Sequence, residues 1–588
     1  MPHHADPPIA AHRLLGDGRG AALLTHTGTV DWWCAPAFDD PPVLWSLLDP
    51  AGAASRWRGA TFVEAPGRPA GPTARSVVRV GGRRLALLDG LVAVDGGSCL
   101  VRLARWEDGP AAVARHEFAL GGFDAPWRHA AEALEPLDGE VGRRGEDPWV
   151  GIDVPVSADR WSGLVVAVGA GAPTGWRVPA DAVEALERAA AEADRRIGSA
   201  RLPRHHPARG ADALAVLDAC TDERTGAVVA APTTSLPEAV GHDRQFDYRY
   251  CWLRDAALAT SVAAILGRPG AARRYLAFIA EAALPDPDGC PPLLRAGPGD
   301  RRVPAEREVP GVAGWGGSRP VRVGNAAAGQ VQYDAWGFVL EAVLVHLHAG
   351  GPLDRRTWDL VRAVADRMVA QPAGAESGIW ELRDERRLLS ADIGRWLVLD
   401  RAVRIGRWRR PLHVRRRRSW ARARDGARRT VLDAIRPDGS LPQAHDDDRP
   451  DASSLMAVLF GLLHRRDERA HRIVDAVLRD LGEGPHVRRY PPGGDGFSGV
   501  EGTFLPISWW AVSVLALIGR VEEAEARADE LCAALPQLLP EMVDPLSGEP
   551  LGNTPLVWSH VEAARALDGL DAARTIRRTG RAGLVTRR

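Results

Sequence analysis

At 588 residues, 45% hydrophobic and 26% charged with a formal net charge of −1, the chain has an ordinary globular balance and the length for two or more domains. It holds no lysine, so all 75 basic residues are arginine, which excludes Schiff-base chemistry and a GxxxxGK[ST] phosphate loop. No apolar run approaches a membrane span, and "MPHHADPPIAAHRLL" lacks the basic region and apolar core of a secretory signal, so a cytoplasmic protein with no membrane partner is expected.

In chain order, residues 1–180 show little helical periodicity. Ala21 to Leu24 and Val30 to Trp33 form two short strand patterns around a turn, and "ARSVVRVGGRRLALLDGLVAVDGGSCLVRLARW" continues with strand-like runs broken by Gly-Gly and Asp-Gly turns. This half is expected to be an antiparallel β domain, a sandwich. Asp181 to Ile197 is a charged, alanine-rich helix that "PRHHPARG" breaks, so 181–210 is assigned as a helical linker. From Ala211 to the C-terminus apolar residues recur at helical spacing in about twelve segments: 211–219, 255–267, 270–284, 330–349, 354–370, 392–407, 418–435, 451–464, 468–481, 503–519, 520–538 and 556–568. Paired helices in that number suit six inner and six outer helices in a barrel. The absence of a fixed-period repeat counts against a solenoid. Between the helices lie long islands rich in Trp, Gly and charge, at 221–254, 286–329, 371–391, 437–450, 484–502 and 539–555, where function is expected to sit.

The six cysteines (Cys34, Cys99, Cys220, Cys251, Cys290, Cys532) are scattered without a CxxC pair, as reduced, mostly buried thiols are, so neither a disulfide frame nor a metal site is expected. The basic run from Arg407 to Arg429 falls between two helices. With a neutral chain and no reading motif beside it, a solvated turn is expected there and not a nucleic-acid site.

The islands carry the chemistry. "FDYRYCWLRDA" (Phe246 to Ala256) crowds aromatics, arginines and aspartates together. That suits a surface that stacks on a hydroxyl-rich ligand and fixes it with charge-assisted hydrogen bonds, or a buried Arg–Asp pair under aromatic residues. It is accompanied by "APTTSLPE" (231–238), "GSRPVRVGNAAAGQVQYDAWG" (317–337), "SGIWELR" (377–383), "EGTFLPISWW" (501–510) and "PEMVDPLSGEPLGNTPLVWSH" (540–560). In this order, and with "LLGDGRGAALLTHTGTVDWWCAPAFDDP" near the N-terminus, these motifs resemble glycoside hydrolase family 15, the inverting glucoamylases and bacterial trehalases. The resemblance covers most of the chain. It implies an N-terminal antiparallel β-sandwich followed by an (α/α)6 helical barrel: 1–180 sandwich, 181–210 linker, 211–588 catalytic barrel.

Cleaving an acetal with inversion needs one carboxylic acid to protonate the leaving oxygen and a carboxylate across the ring to activate water. The resemblance assigns these roles to Glu381 and Glu541. It places Arg254 and Asp255 on the hydroxyls of the non-reducing sugar, with Trp252 and Tyr250 as ring walls. Trp380, Glu501, Trp558 and His560 are weaker binding candidates. No metal and no organic cofactor are implied, and the partner is a small carbohydrate, with homo-oligomerisation open. Two departures stand out. Glu541 is followed by Met542 where many relatives have a second acid. The stretch "LLSADIGRWLVLDRA" carries Ala391, Asp392 and Gly394 where Ser, Lys and Met are usual, so a different reducing-side subsite is expected. The implied activity is that of an inverting, exo-acting α-glucosidase on trehalose, isomaltose or a short maltooligosaccharide. A non-catalytic binding or regulatory protein on the same scaffold, or a sugar-modifying enzyme of secondary metabolism, is the alternative.

Overall fold

The computed structural model describes residues 8–123, 134–137, 142–144, 149–169, 176, 178–286, 290–371, 373–493 and 495–579. Parts of the expected β domain (124–133, 138–141, 145–148 and 170–175) lie outside the described residues.

The N-terminal region is built of two sheets. A nine-stranded sheet contains His12–Gly16, Ala21–Thr25, Val30–Cys34, Ala112–Phe118 and Val150–Val156 among its strands; a six-stranded one contains Thr73–Val80, Arg83–Val94, Gly97–Trp106 and Ser162–Val168. Neighbouring strands pair antiparallel, except that His12–Gly16 pairs in parallel with the short strand Ala70–Gly71. Alternating apolar residues from both sheets, Leu15, Leu24, Trp33 and Phe118 from one and Leu87, Leu100 and Val166 from the other, share one core. Inside it Arg102 donates to Asp89 Oδ1 at 2.7 Å and to Ser55 O at 2.9 Å, both charged side chains being fully buried.

Thirteen helices follow among the described residues: α1 (Pro179–Gly198), α2 (Pro207–Ala219), α3 (Leu253–Ile265), α4 (Pro269–Ala283), α5 (Ala335–His348), α6 (Arg355–Ala370), α7 (Leu389–Arg409), α8 (Val414–Asp433), α9 (Met456–Leu459), α10 (Glu468–Leu481), α11 (Leu505–Ile518), α12 (Val521–Ala534) and α13 (Val557–Thr579). The segment expected to be a linker does more than connect. Ala182 and Leu186 of α1 cover the outer face of the six-stranded sheet, where a Cβ on Gly90 would stand 2.3 Å from Leu186 Cδ2.

The helices α3, α5, α7, α9, α11 and α13 each pack on the next, and α13 returns to α3. Helices α4, α6, α8, α10 and α12 lie against them from outside, and α2 lies on α13. The sequences follow this placement. In α11 ("LPISWWAVSVLALI") nearly every residue is buried, whereas α10 buries only the stripe Ala470, Ile473, Val474, Ala476, Val477 and Leu481. One expected helix is a correction: 451–464 forms a 3₁₀ turn, Ala452–Leu455, and the single turn of α9. The Asp451 carboxylate caps Ser453 N while also accepting from Trp380 and Gln443, and Gly461 at φ +82° helps end the segment. All six cysteines are free; Cys34, Cys99, Cys220 and Cys251 are buried. No helix among the described residues is long and apolar enough to cross a membrane.

Because Asp89 would be left buried and unpaired, Arg102→Ala should lower unfolding free energy by about 3–5 kcal/mol. Urea unfolding followed by near-ultraviolet circular dichroism checks this; a loss below about 1 kcal/mol would mean that solvent reaches Asp89.

Candidate active site

The segments that enter α3, α5, α7, α11 and α13 meet in one cleft at the N-terminal ends of these helices. Its empty volume is about 910 Å³, mouth included. The wall includes Tyr248, Trp252, Arg254, Asp255, Trp380, Glu381, Glu541 and Trp558.

The stretch entering α3 divides between two environments: a buried Arg–Asp pair, and residues that line the cleft. Asp247 and Arg249 form the buried pair. Arg249 Nε and Nη2 donate to the two Asp247 oxygens at 2.8 and 2.7 Å, and Arg249 Nη1 reaches Asp40 O and Cys34 Sγ in the β region at 2.9 and 3.3 Å. Tyr248, between them, turns to the cleft and donates to Glu541 Oε1 at 2.7 Å. Trp252 Nε1 donates to Glu381 Oε1 at 2.6 Å. The Tyr248 and Trp252 rings meet edge to face with centroids 5.4 Å apart. Two carboxylates distant in sequence are thus held by adjacent aromatic donors of one short segment.

Arg254, in the first turn of α3, donates to Ile379 O at 2.9 Å and to Glu381 Oε1 at 3.3 Å. It also pairs with Asp255 at 3.2 Å and lies 4.9 Å over the Trp558 ring. Glu381 itself adopts φ +59°, a left-handed conformation that few non-glycine residues take. Its carbonyl accepts from Gln330 Nε2 at 3.0 Å, and its N–H closes a turn on Gly378 O at 3.1 Å. Trp380, next to it, is anchored the other way, with Nε1 donating to both Asp451 oxygens at 2.9 Å.

Glu541 precedes the short strand Met542–Val543, and Asn553 N donates to its Oε2 at 3.2 Å. Gly552 at φ +73° passes so close that a Cβ there would lie 2.4 Å from Glu541 Oε2. Burial pushes the Glu541 carboxyl up to about 7, against the opposing pull of Arg489 and of the bonds from Tyr248 and Asn553. Next to it Glu238 is pushed well up, first by burial, with neighbouring Glu541 and Glu501 adding to the rise.

Three sequence-derived candidates do not reach the wall. Tyr250 is buried with its hydroxyl on Asp247 Oδ2 at 3.3 Å. Glu501 stands behind the lining, bonded to Arg489 Nε at 3.1 Å and paired with Arg244 at 3.4 Å. His560 is fully buried and Nε2 accepts from Leu539 N at 2.8 Å; burial holds it down at about 3, so it is a neutral structural acceptor. The altered stretch 389–394 also lies elsewhere. Asp392 takes a 2.7 Å contact from His445 Nε2, and Ala391 and Asp392 line a small separate cavity with Glu376 and Arg387. The expected change to the reducing-side subsite does not follow from it. Conversely, Tyr248, Glu238, Arg489 and Gln330 line the cleft without having been singled out. Strand-like alternation through 247–249, which sends Tyr248 opposite to its charged neighbours, was the available signal.

Over 96% of its length the chain superposes on a bacterial glucoamylase solved in complex with acarbose, covering 95% of that chain with a TM-score of 0.67 at 12% identity; the likeness is one of fold. The family model described as Glycosyl hydrolases family 15 matches residues 212–524, and the chain belongs to that family. Among curated relatives, the trehalase of Mycolicibacterium smegmatis is 33% identical over 366 residues, 60% of this chain and 53% of the relative. The trehalase of Mycobacterium tuberculosis is 33% identical over 358 residues (60% and 52%), and that of Thermoplasma acidophilum 31% over 363 (60% of each). The chain thus matches about half the length of the first two relatives.

Tyr248→Phe removes a donor that favours the Glu541 carboxylate, so ionisation of Glu541 should move up from about 7. Infrared titration of the carboxylate should show its ionisation moved to higher pH while circular dichroism stays unchanged; an unmoved ionisation would mean the bond does not form in solution.

Proposed function

We propose that the chain is an inverting, exo-acting α-glucosidase acting on a small α-glucoside. The observation that carries this reading is the pairing of Glu381 and Glu541 in one cleft, each fixed by a donor from the 248–252 segment. Glu381 protonates the glycosidic oxygen. Glu541 takes a proton from the attacking water, which adds to the anomeric carbon from the opposite face and releases β-glucose. Arg254 and Asp255 hold hydroxyls of the sugar being cleaved, and Trp252 and Trp558 wall its ring. An ionisation near 7 suits Glu541 to a base at neutral pH, because the proton is both accepted and released readily. This chemistry requires no metal and no cofactor.

The architecture we propose is an N-terminal β-sandwich (1–180), a helical connection (181–210) and an (α/α)6 barrel (211–588). The contact of α13 with α3, which closes the inner series, supports the barrel. Trehalose is the first substrate to test, because the curated relatives are named trehalases. The cleft is walled by Phe497, Arg383 and Glu306 as well as by the sugar-facing aromatics, which favours a disaccharide over a long glucan.

Glu381→Gln and Glu541→Gln should each lower kcat by about 10²–10⁴-fold while sugar binding remains; a fully active variant would end the assignment. Arg254→Ala should weaken binding of each cleaved glucoside by about 1.5–3 kcal/mol. Catalytic efficiencies on trehalose, isomaltose, maltose and soluble starch, with anomer-resolved detection, test the rest; starch as the best substrate, or α-glucose as the first product, would overturn it.

The wild-type kcat/KM should fall as pH drops below about 7, because the base must be ionised. Stability runs the opposite way for this group. Its folded pKa lies above a glutamate's ordinary value of 4.5, so its carboxylate is a burden fully present above about 7 and absent below 4.5. Glu541→Gln should therefore raise the melting temperature at pH 8 and leave it near the wild-type value at pH 4; a destabilised variant at pH 8 would contradict this.

A further inference from the structure

The turn between α7 and α8 stands apart from the cleft, and function as proposed leaves it unused. Helix α7 begins at the end of the Glu381 loop and runs 21 residues away from it, so its far end lies about 30 Å from the cleft. Between Arg401 and Arg424 the sequence has eleven arginines and no carboxylate. Some are neutralised from elsewhere: Asp400 pairs with Arg401, Arg404 and Arg424, and Asp366 pairs with Arg416. Arg407, Arg409, Arg410, Arg415, Arg417 and Arg418 have no carboxylate within 4.0 Å among the described residues.

The second observation is apolar. Leu412 at the tip is 92% exposed, Trp408 47% and Val414 41%. Among the described residues no other seven-residue span holds two large apolar side chains this exposed, let alone three. Trp408 is not a loose side chain. Its ring stacks on His348 at 5.1 Å between centroids, and Arg409 covers it at 4.1 Å. The turn is also braced from within, since Arg417 Nη2 donates to Pro411 O at 2.7 Å.

We propose that this turn docks the protein on an anionic phospholipid surface. A solvated hairpin has no use for a fully exposed leucine beside a half-exposed tryptophan. A double-stranded nucleic acid would be met by the arginines but would leave that apolar tip without a partner. A bilayer interface takes both. Apolar side chains enter at headgroup depth, and surrounding guanidinium groups meet lipid phosphates and the negative surface potential. No spanning segment is needed, so surface association is compatible with the lack of a membrane-crossing helix among the described residues. Docked by this end, the cleft at the N-terminal ends of the inner helices would face away from the lipid and stay open to soluble sugars.

Co-sedimentation of the full chain with vesicles tests this, using phosphatidylcholine alone and phosphatidylcholine containing about one-third phosphatidylglycerol, at low and at physiological salt. Binding to the anionic vesicles only, weakened by salt, is expected. Leu412→Gln should reduce it at least about fivefold, and Arg415→Glu with Arg418→Glu at least about tenfold, each with unchanged melting temperature and unchanged trehalose or glucoside turnover. No binding to the anionic vesicles at low salt, or binding that both variants retain, would overturn the proposal. So would tighter binding to a duplex DNA at the same salt that Leu412→Gln leaves intact, which would make the turn a nucleic-acid surface.

Discussion

The bidentate pair of Asp247 and Arg249 is the constraint on which the cleft depends. It is buried at the junction of three parts of the chain. Arg249 reaches Asp40 and Cys34 of the β region, while Asp247 accepts from Gly324 N at 3.1 Å and its carbonyl takes the Asn325 side chain at 3.1 Å. A charge pair removed from water is tolerated only when its remaining hydrogen-bonding capacity is met, and here backbone and side chains from both regions meet it. With 247 and 249 fixed inward, Tyr248 can only face the other way, and that orientation brings it onto Glu541. The β region therefore has a part in the site although none of its described residues lines the cleft.

Electrostatics around Glu541 follow from a local imbalance. Glu238, Glu501 and Asp495 pair with two guanidinium groups, Arg244 and Arg489, beside Glu541, and all but Asp495 of these carboxylates are deeply buried. Asp495 takes Arg244 through both oxygens at 2.8 Å and is held below the usual carboxylate range despite burial, with that pairing as the main opposing cause. Arg489 is committed to Glu501 and, at 3.4 Å, to Glu238. Glu541 feels Arg489 only at a distance, and its own hydrogen bonds come from a tyrosine hydroxyl and one backbone N–H. Fewer charged partners at equal burial leave its proton more firmly held than an exposed glutamate's, which is the condition of a base that works near neutrality.

Some of this was legible in the sequence through one-sided periodicity, as in helix 468–481, and some through short apolar runs flanking a turn, as in the two strands 21–25 and 30–34, which are buried on both faces. The strands 21–25 and 30–34 and the helix 468–481 were placed nearly to the residue. Segment 451–464 misled because its apolar content serves burial in a bend, and nothing in composition tells a buried bend from a buried helix. The site separated in the same way. Glu381, Glu541, Arg254, Asp255, Trp252, Trp380 and Trp558 were found through ordered motifs and all line the cleft. Tyr250, Glu501 and His560 share those motifs yet lie behind it, because a motif marks a neighbourhood and not the direction of each side chain. Arg489 was missed since its partners, Glu238 and Glu501, are 251 and 12 residues away in sequence.

Glu381 shows the same economy of fixed neighbours at the carboxyl proposed as the acid. Its left-handed backbone costs of order 1–3 kcal/mol in isolation and persists only where the surroundings over-determine it. Here they do. Gly378 at φ +64° makes the turn, Gln330 takes the Glu381 carbonyl, and Trp380 is pinned to Asp451 on one side while Arg254 takes the Ile379 carbonyl on the other. The two residues before Glu381 are thus tied to separate elements, Trp380 to the Asp451 cap of the 3₁₀ turn and Ile379 to α3, and the Glu381 carboxylate is held by Trp252 and Arg254. Both of these contacts land on Oε1, so Oε2 is the oxygen not taken by either. An acid that must present one oxygen to a leaving group needs that asymmetry: one oxygen held, the other left for the substrate.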